Sequence, residues 1–138
     1  MEKAVDVARR RRVGLVLGAD TLVVVGGEIL GKPSDDAAAR RMLRRLSGRS
    51  HRVVTGVALC QAGGRLIESA SASTTVVFNR LSQEEIDWYV ATGDPKDKAG
   101  AYGIQGGAAL FVREIRGSYS NVVGLPMELV YSMLGLPP

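Results

Sequence analysis

Residues 13–33 read VGLVLGADTLVVVGGEILGKP. Two apolar runs, Val13–Leu17 and Leu22–Val25, flank the small polar stretch Gly18-Ala19-Asp20-Thr21. Short aliphatic runs bounded by glycine and polar residues read as strands. Gly26-Gly27 reads as a hairpin turn, with Ile29 and Leu30 on the return strand. Gly31-Lys32-Pro33 then stops the strand ahead of a helix.

That helix is predicted from Ser34 to about Leu46. Asp35 and Asp36 occupy its first turn and Arg44 and Arg45 its last, each sign matching the helix dipole. Ala39, Met42, Leu43 and Leu46 form its apolar stripe. Residues 51–62 and 65–79 read as two long strands joined by a hairpin at Gly63-Gly64. Ser82 and Glu85 match a capping box that opens another helix, with Leu81 and Ile86 as its staple. Gly93 and Pro95 end it. A Gly-rich segment, 94–107, leads to a strand expected over Ala108–Ile115 and a polar loop over Gly117–Gly124. Pro126 suits the first turn of a last helix, to about Leu134. Upstream, Ala4, Val7 and Ala8 share one face of a helix over residues 2–12. Strands alternating with helices predict an α/β fold.

The chain has 138 residues, 46% hydrophobic and 23% charged, close to the globular average. One domain over residues 1–138 is the expectation. Its apolar runs are too short and too broken by glycine to span a bilayer as a helix. No charged-then-apolar leader opens the sequence, so a cytoplasmic location is expected. A single cysteine, Cys60, excludes a disulfide framework within the chain and a cysteine-rich zinc site. The net charge is +4, and of 18 basic residues only four are Lys. Arginine clusters at Arg9–Arg12 and Arg40–Arg49 would suit a polyanion or simply a solvated face. With 5% aromatic residues there is no base-stacking platform, so nucleic acid is not the expected partner.

Several residues are able to do chemistry. Asp20, between two apolar strands, reads as a Mg²⁺ ligand or general base, or else as a turn aspartate bonded to its own backbone. Lys32, after a strand and before a helix N-terminus, suits phosphate; its bland alternative is a turn lysine. No Gly-x-x-x-x-Gly-Lys-Thr is present, so this is not a P-loop. In Asp97-Lys98-Ala99-Gly100-Ala101-Tyr102-Gly103-Ile104-Gln105-Gly106, the glycines allow close backbone approach to a ligand. Lys98 suits phosphate there, and the Gln105 amide, with donor and acceptor, suits a base edge. His51 is the sole histidine and reads as a strand-start or surface residue. Cys60 reads as buried and inert. No Gly-x-Ser-x-Gly supports a serine hydrolase.

The stations Gly18-Ala19-Asp20-Thr21, Ile29-Leu30-Gly31-Lys32-Pro33, Leu46-Ser47-Gly48-Arg49, Thr55-Gly56-Val57, Asp97–Gly106 and Gly117–Pro126 occur in an order that resembles the Maf family of nucleotide pyrophosphatases. The resemblance runs through nearly the whole chain. It implies an α/β fold with a mixed twisted sheet and flanking helices, shared with inosine triphosphatases, and a ligand cleft between the sheet and a smaller lobe. Thr21 with Gln105-Gly106 resembles the branch that splits dTTP and UTP into monophosphate and pyrophosphate. Asp20 is then the implied proton acceptor, and Thr21 and Gln105 the implied base-choice residues. Lys3, Lys32 and Lys98 are implied to meet phosphate, and Asp20 and Asp97 to hold Mg²⁺ or Mn²⁺. A homodimer is the assembly implied.

Family members also carry, roughly 50 residues before the first strand seen here, a further strand and a Ser-x-Ser-Pro-Arg-Arg loop, a length near a third of a small domain. This sequence lacks them, and the expectation is an N-terminally truncated Maf-like domain with turnover reduced by about 10³-fold or more. The competing expectation is a non-catalytic nucleotide binder, or a cell-division-linked interaction protein of the same fold.

Overall fold

The computed structural model describes residues 15–61 and 65–135. The expected helix over residues 2–12, Lys3, the Arg9–Arg12 cluster and the Gly63-Gly64 hairpin lie outside the described residues.

A five-stranded sheet forms the body, in the order β2-β1-β3-β4-β5. The strands are β1 (Leu15–Val25), β2 (Glu28–Leu30), β3 (Ser50–Gln61), β4 (Arg65–Phe78) and β5 (Val112–Arg116). Every pairing is antiparallel. For β1 and β2 this follows from the connection: the tight turn at Gly26-Gly27 returns the chain beside itself, whereas parallel neighbours need a long crossover. Both turn glycines have positive φ, 55° and 78°, as a hairpin of this type requires. Helices α1 (Asp36–Leu46), α2 (Gln83–Ala91), α3 (Tyr119–Val123) and α4 (Met127–Met133) flank the sheet, which fits the expected α/β class.

β1 is continuous. Gly18-Ala19-Asp20-Thr21 does not separate two strands; it pairs with Ala58, Val57, Gly56 and Thr55 of β3 in unbroken register. Turn-forming composition is overridden here by the ladder, because strand preference depends on the partner strand more than on the residue. The expected strand over Ala108–Ile115 is shorter. Residues Gly107–Phe111 form a 3₁₀ turn that buries Ala108 and Phe111, and only Val112–Arg116 joins the sheet. The Gly117–Gly124 loop contains α3, capped by the Ser118 hydroxyl, which accepts from the Asn121 N–H.

The capping signals hold. The Ser82 hydroxyl accepts from the Glu85 N–H at 3.1 Å, and the Glu85 carboxylate accepts from the Ser82 N–H at 2.9 Å. Asp35 caps α1, one residue beyond the expected Ser34. Val23, Val25, Leu30, Leu43, Leu46, Val53, Val76, Phe78, Ile86, Tyr89 and Phe111 share one core between the sheet and α1–α2. Val57 and Leu59 pack separately against Val130 and Met133 of α4. The second arginine cluster is partly absorbed by the fold: Arg40 pairs with Asp87, Arg44 with Gln83 and Arg45 with Glu28. No described helix is long and apolar enough to cross a membrane.

Candidate active site

Between these packing groups the sheet is left partly uncovered, and a cleft of about 540 Å³ opens there. That volume suits a nucleotide-sized ligand. Asp20, Thr21, Lys32, Asp97, Lys98 and Gln105 all border it, although they come from a strand, a turn and a distant loop. Lys3 lies outside the described residues.

One wall is the strand ladder. β2 covers only Val23–Val25 of β1. Among the described residues no strand borders β1 from Leu15 to Leu22 on that side. Asp20 therefore stands exposed at a sheet margin rather than in a turn. Its register partner in β3 is Gly56, where an added Cβ would meet nothing within 4 Å. Thr21 shares a row with Thr55, hydroxyl to hydroxyl at 3.0 Å. Thr55, fully buried, also donates to the Asn121 carbonyl oxygen at 3.4 Å. The Asn121 side-chain amide donates to the Val53 carbonyl oxygen at 3.0 Å and to Thr74 Oγ1 at 2.9 Å. This buried polar row ties α3 to the middle of the sheet and sets Val122–Gly124 on the far side of the cleft.

The other wall is the Gly-rich segment. The Gly100 N–H donates to the Gly31 carbonyl oxygen at 3.1 Å, which joins this segment to the turn carrying Lys32. Gly100 has φ +72°, and a Cβ there would lie 3.0 Å from both Val23 methyl groups; the position needs glycine twice over. Lys98 Nζ donates to the Asp94 carbonyl oxygen at 3.1 Å, to Asp94 Oδ1 at 3.2 Å and to Asp97 Oδ1 at 3.3 Å. An ammonium has three donors, and here all three are engaged. Burial pulls the Lys98 pKa down, but the bonds to Asp94 and Asp97 outweigh it and raise the pKa overall. Asp97 is held below the usual carboxylate range by its bond to Lys98, with Lys32 adding a smaller pull.

Beneath the loop lies His51. It lies at the start of β3, one of its two expected places, but is only 2% exposed, so it is not a surface residue; its Nε2 is 2.6 Å from Tyr102 Oη. Its ring packs edge-on against Phe78 and Tyr102. Burial lowers its pKa to about 4, so it is neutral at pH 7. Tyr102 borders the cleft, and burial raises its hydroxyl pKa.

Asp94 also borders the cleft and was not evident from the sequence. One signal does point to it: an acid just past a helix C-terminus opposes the helix dipole and needs a partner. Its partners are Lys98 and the Tyr89 hydroxyl. The cleft thus carries three carboxylates, Asp20, Asp94 and Asp97, against two ammonium groups, Lys32 and Lys98. Among the described residues no three acidic, histidine or cysteine side chains converge as a self-sufficient metal site. Two carboxylates on one cleft nonetheless fit a magnesium-like ion, which takes one or two protein carboxylates and completes its shell with waters and phosphate oxygens.

Comparison with known proteins agrees with this geometry. A family model described as "Maf-like protein" matches residues 1–136. A protein of Symbiobacterium thermophilum named dTTP/UTP pyrophosphatase is 56% identical over 134 residues, 97% of this chain and 68% of its own length. Proteins of the same name from Anaeromyxobacter dehalogenans and Thermococcus gammatolerans are 57% and 52% identical, covering 87% and 96% of this chain. The chain spans 63% of the former and 74% of the latter, about two thirds of the length of the curated relatives it matches. With a family match over almost its whole length and relatives more than half identical, the chain belongs to the Maf family.

Proposed function

We propose that this chain carries the catalytic cleft of a nucleoside triphosphate pyrophosphatase that converts dTTP and UTP to the monophosphate and pyrophosphate, in the cytoplasm. The observation that supports it is the gathering of Asp20, Lys32, Asp97, Lys98 and Gln105 around one nucleotide-sized cleft. The name shared by relatives more than half identical supports the choice of substrate.

In this reading Asp20, on the border of the cleft, accepts a proton from a water. The water oxygen bonds to the α-phosphorus, the bond from that phosphorus to the α–β bridging oxygen breaks, and pyrophosphate leaves with the electron pair. Lys98 exchanges its bond to Asp97, which is 81% exposed, for a phosphate oxygen; Lys32 meets another. The exchange frees the Asp97 carboxylate as Lys98 moves to the substrate. A triphosphate adds negative charge to a cleft already holding three carboxylates against two ammonium groups. A divalent ion held by Asp20, Asp97 and the phosphates, Mg²⁺ or Mn²⁺, would offset that charge.

At the other end, uracil and thymine present an N3–H donor beside carbonyl acceptors. The Gln105 amide oxygen accepts from N3–H while its NH₂ donates to a ring carbonyl oxygen. Cytosine has no hydrogen on N3, so the same contact would leave acceptor facing acceptor, a mismatch that sites built around hydrogen bonds reject strongly. Thr21, with its hydroxyl tied to Thr55, borders the same space.

Hydrolysis of dTTP in ¹⁸O-labelled water tests the reaction. Attack at the α-phosphorus puts the label in dTMP and none in pyrophosphate. Label in inorganic phosphate, with dTDP as product, contradicts it.

A further inference from the structure

Gln105 sits at the tip of a tight turn. The Gly106 N–H donates to the Gly103 carbonyl oxygen at 3.2 Å, and Ile104 is buried beside it. Gln105 itself is exposed and has no side-chain hydrogen bond among the described residues. A surface turn of glycines does not hold a long amide in one place, because glycine carries the largest conformational freedom of any residue. What holds this turn lies outside it. The Gly103 N–H donates to Tyr89 Oη at 3.0 Å. Tyr89 Oη in turn donates to Asp94 Oδ2 at 2.7 Å. At the other end of the turn, a Cβ on Gly106 would lie 2.5 Å from the same Oδ2, so the Asp94 carboxylate packs directly under the Gly106 backbone.

The donor and acceptor roles in this set are fixed. An amide N–H only donates and a carboxylate only accepts, so the hydroxyl between them has one orientation. Tyr89 is fully buried on α2, a rigid element. Asp94 is tied to the end of α2, since Thr92 Oγ1 donates to the Tyr89 carbonyl oxygen at 2.6 Å and accepts from the Asp94 N–H at 3.2 Å. The other Asp94 oxygen takes Lys98.

We propose that Tyr89 and Asp94 are positioning residues for base discrimination: they pin the two ends of the Gly103–Gly106 turn and so fix where the Gln105 amide stands. The inference rests on the reading of Gln105 given above. Neither residue needs to touch the nucleotide base. Asp94 alone also holds Lys98, so the two residues separate by experiment. Tyr89→Phe keeps the ring and the Lys98 contact but drops the Gly103 pin. Asp94→Asn keeps an acceptor for Tyr89 but drops the charge opposite Lys98.

The test has two arms. In the first, kcat and KM are measured for dTTP, UTP and CTP in the wild type and both variants. Tyr89→Phe is expected to lower the dTTP-over-CTP preference about tenfold, mainly through KM for dTTP, the size of one lost buried hydrogen bond. Inhibition by inorganic pyrophosphate stays as in the wild type. Asp94→Asn is expected to change pyrophosphate inhibition more than it changes base preference. An equal fall on all three nucleotides in Tyr89→Phe, with the preference intact, makes Tyr89 merely structural and overturns the proposal. The second arm needs no turnover. Trp88 is the only tryptophan, and its ring lies against Gly107, where a Cβ would be 2.7 Å from Cη2. Acrylamide quenching of Trp88 is expected to rise in Tyr89→Phe as the turn comes loose, at unchanged far-ultraviolet dichroism. Unchanged quenching overturns the pin even if dTTP and UTP are the substrates. A wild type without base preference fails the functional reading, while the quenching result still decides the pin.

Discussion

Asp20 and Thr21 stand on a wall held by backbone ladder bonds, whereas Lys98 and Gln105 stand on a wall held by side chains. On the strand wall, β1 pairs with β3 from Leu15 to Val24 without a break, so each Cα is fixed by neighbours on its own strand and the next. On the loop wall, residues 94–107 form short 3₁₀ turns with few ladder contacts, and their positions depend on Tyr89, Asp94, Gly31 and Tyr102. The lesson is a division of labour. The group expected to handle the proton is held rigidly, and the groups expected to meet phosphate and base are held by bonds that can be exchanged. Low local stability in ligand-binding loops is the general pattern.

The sharpest break in the comparison is at Asp20. Asp20→Asn keeps the strand and its pairing, so the melting temperature should hold while pyrophosphate release falls about a thousandfold, the range for losing a general base. A large loss of stability instead would mean that the strand wall depends on the carboxylate.

Next is His51, which lies under the loop wall. The unfolded chain protonates this histidine near pH 6.5, and the folded protein resists until about 4. Between those values the unfolded state binds the extra proton, so stability is full above pH 6.5 and falls as pH drops toward 4. The loss is on the order of 3 kcal/mol over that window. Chemical denaturation at several pH values should show this slope in the wild type and a flatter one in His51→Gln. Equal slopes would mean that His51 is hydrated in the folded protein.

Lys98→Met removes an exchangeable group. It should lower kcat/KM about thirtyfold, with most of the change traceable to phosphate contact. Pyrophosphate inhibition, measured in the same variant, should weaken alongside. The smallest effect is at the seam between the walls. Gly100→Ala forces a Cβ against Val23 at φ +72°, and should cost about 1–3 kcal/mol of stability in a thermal melt.

Much of this was legible from sequence. Gly26-Gly27, the Ser82/Glu85 capping box and the apolar stripe ending at Leu46 act locally, and their geometry follows from neighbours a few residues away. The motif residues Asp20, Lys32, Asp97, Lys98 and Gln105 do meet at one cleft. What was missed depends on distant partners. The unbroken course of β1 through Gly18–Thr21 is imposed by β3, more than thirty residues on. Ala108–Phe111 reads as a strand because it is apolar, but the sheet edge it would join is reached only at Val112. His51 reads as a strand-start or surface residue; the strand start holds, and its burial is set by Phe78 and Tyr102, which enclose it. Asp94 carries no motif at all; its role lies in a hydroxyl from α2 and a loop that folds back onto it.

The central claim is that this cleft splits pyrimidine triphosphates bearing an N3–H, through Asp20. The most direct measurement is pyrophosphate release from dTTP, UTP, CTP and GTP by the wild type and Asp20→Asn, with Mg²⁺ or Mn²⁺. The account predicts release from dTTP and UTP at least about tenfold faster than from CTP or GTP, lowered about a thousandfold in Asp20→Asn. Equal rates on all four nucleotides, or release undiminished in Asp20→Asn, would contradict it.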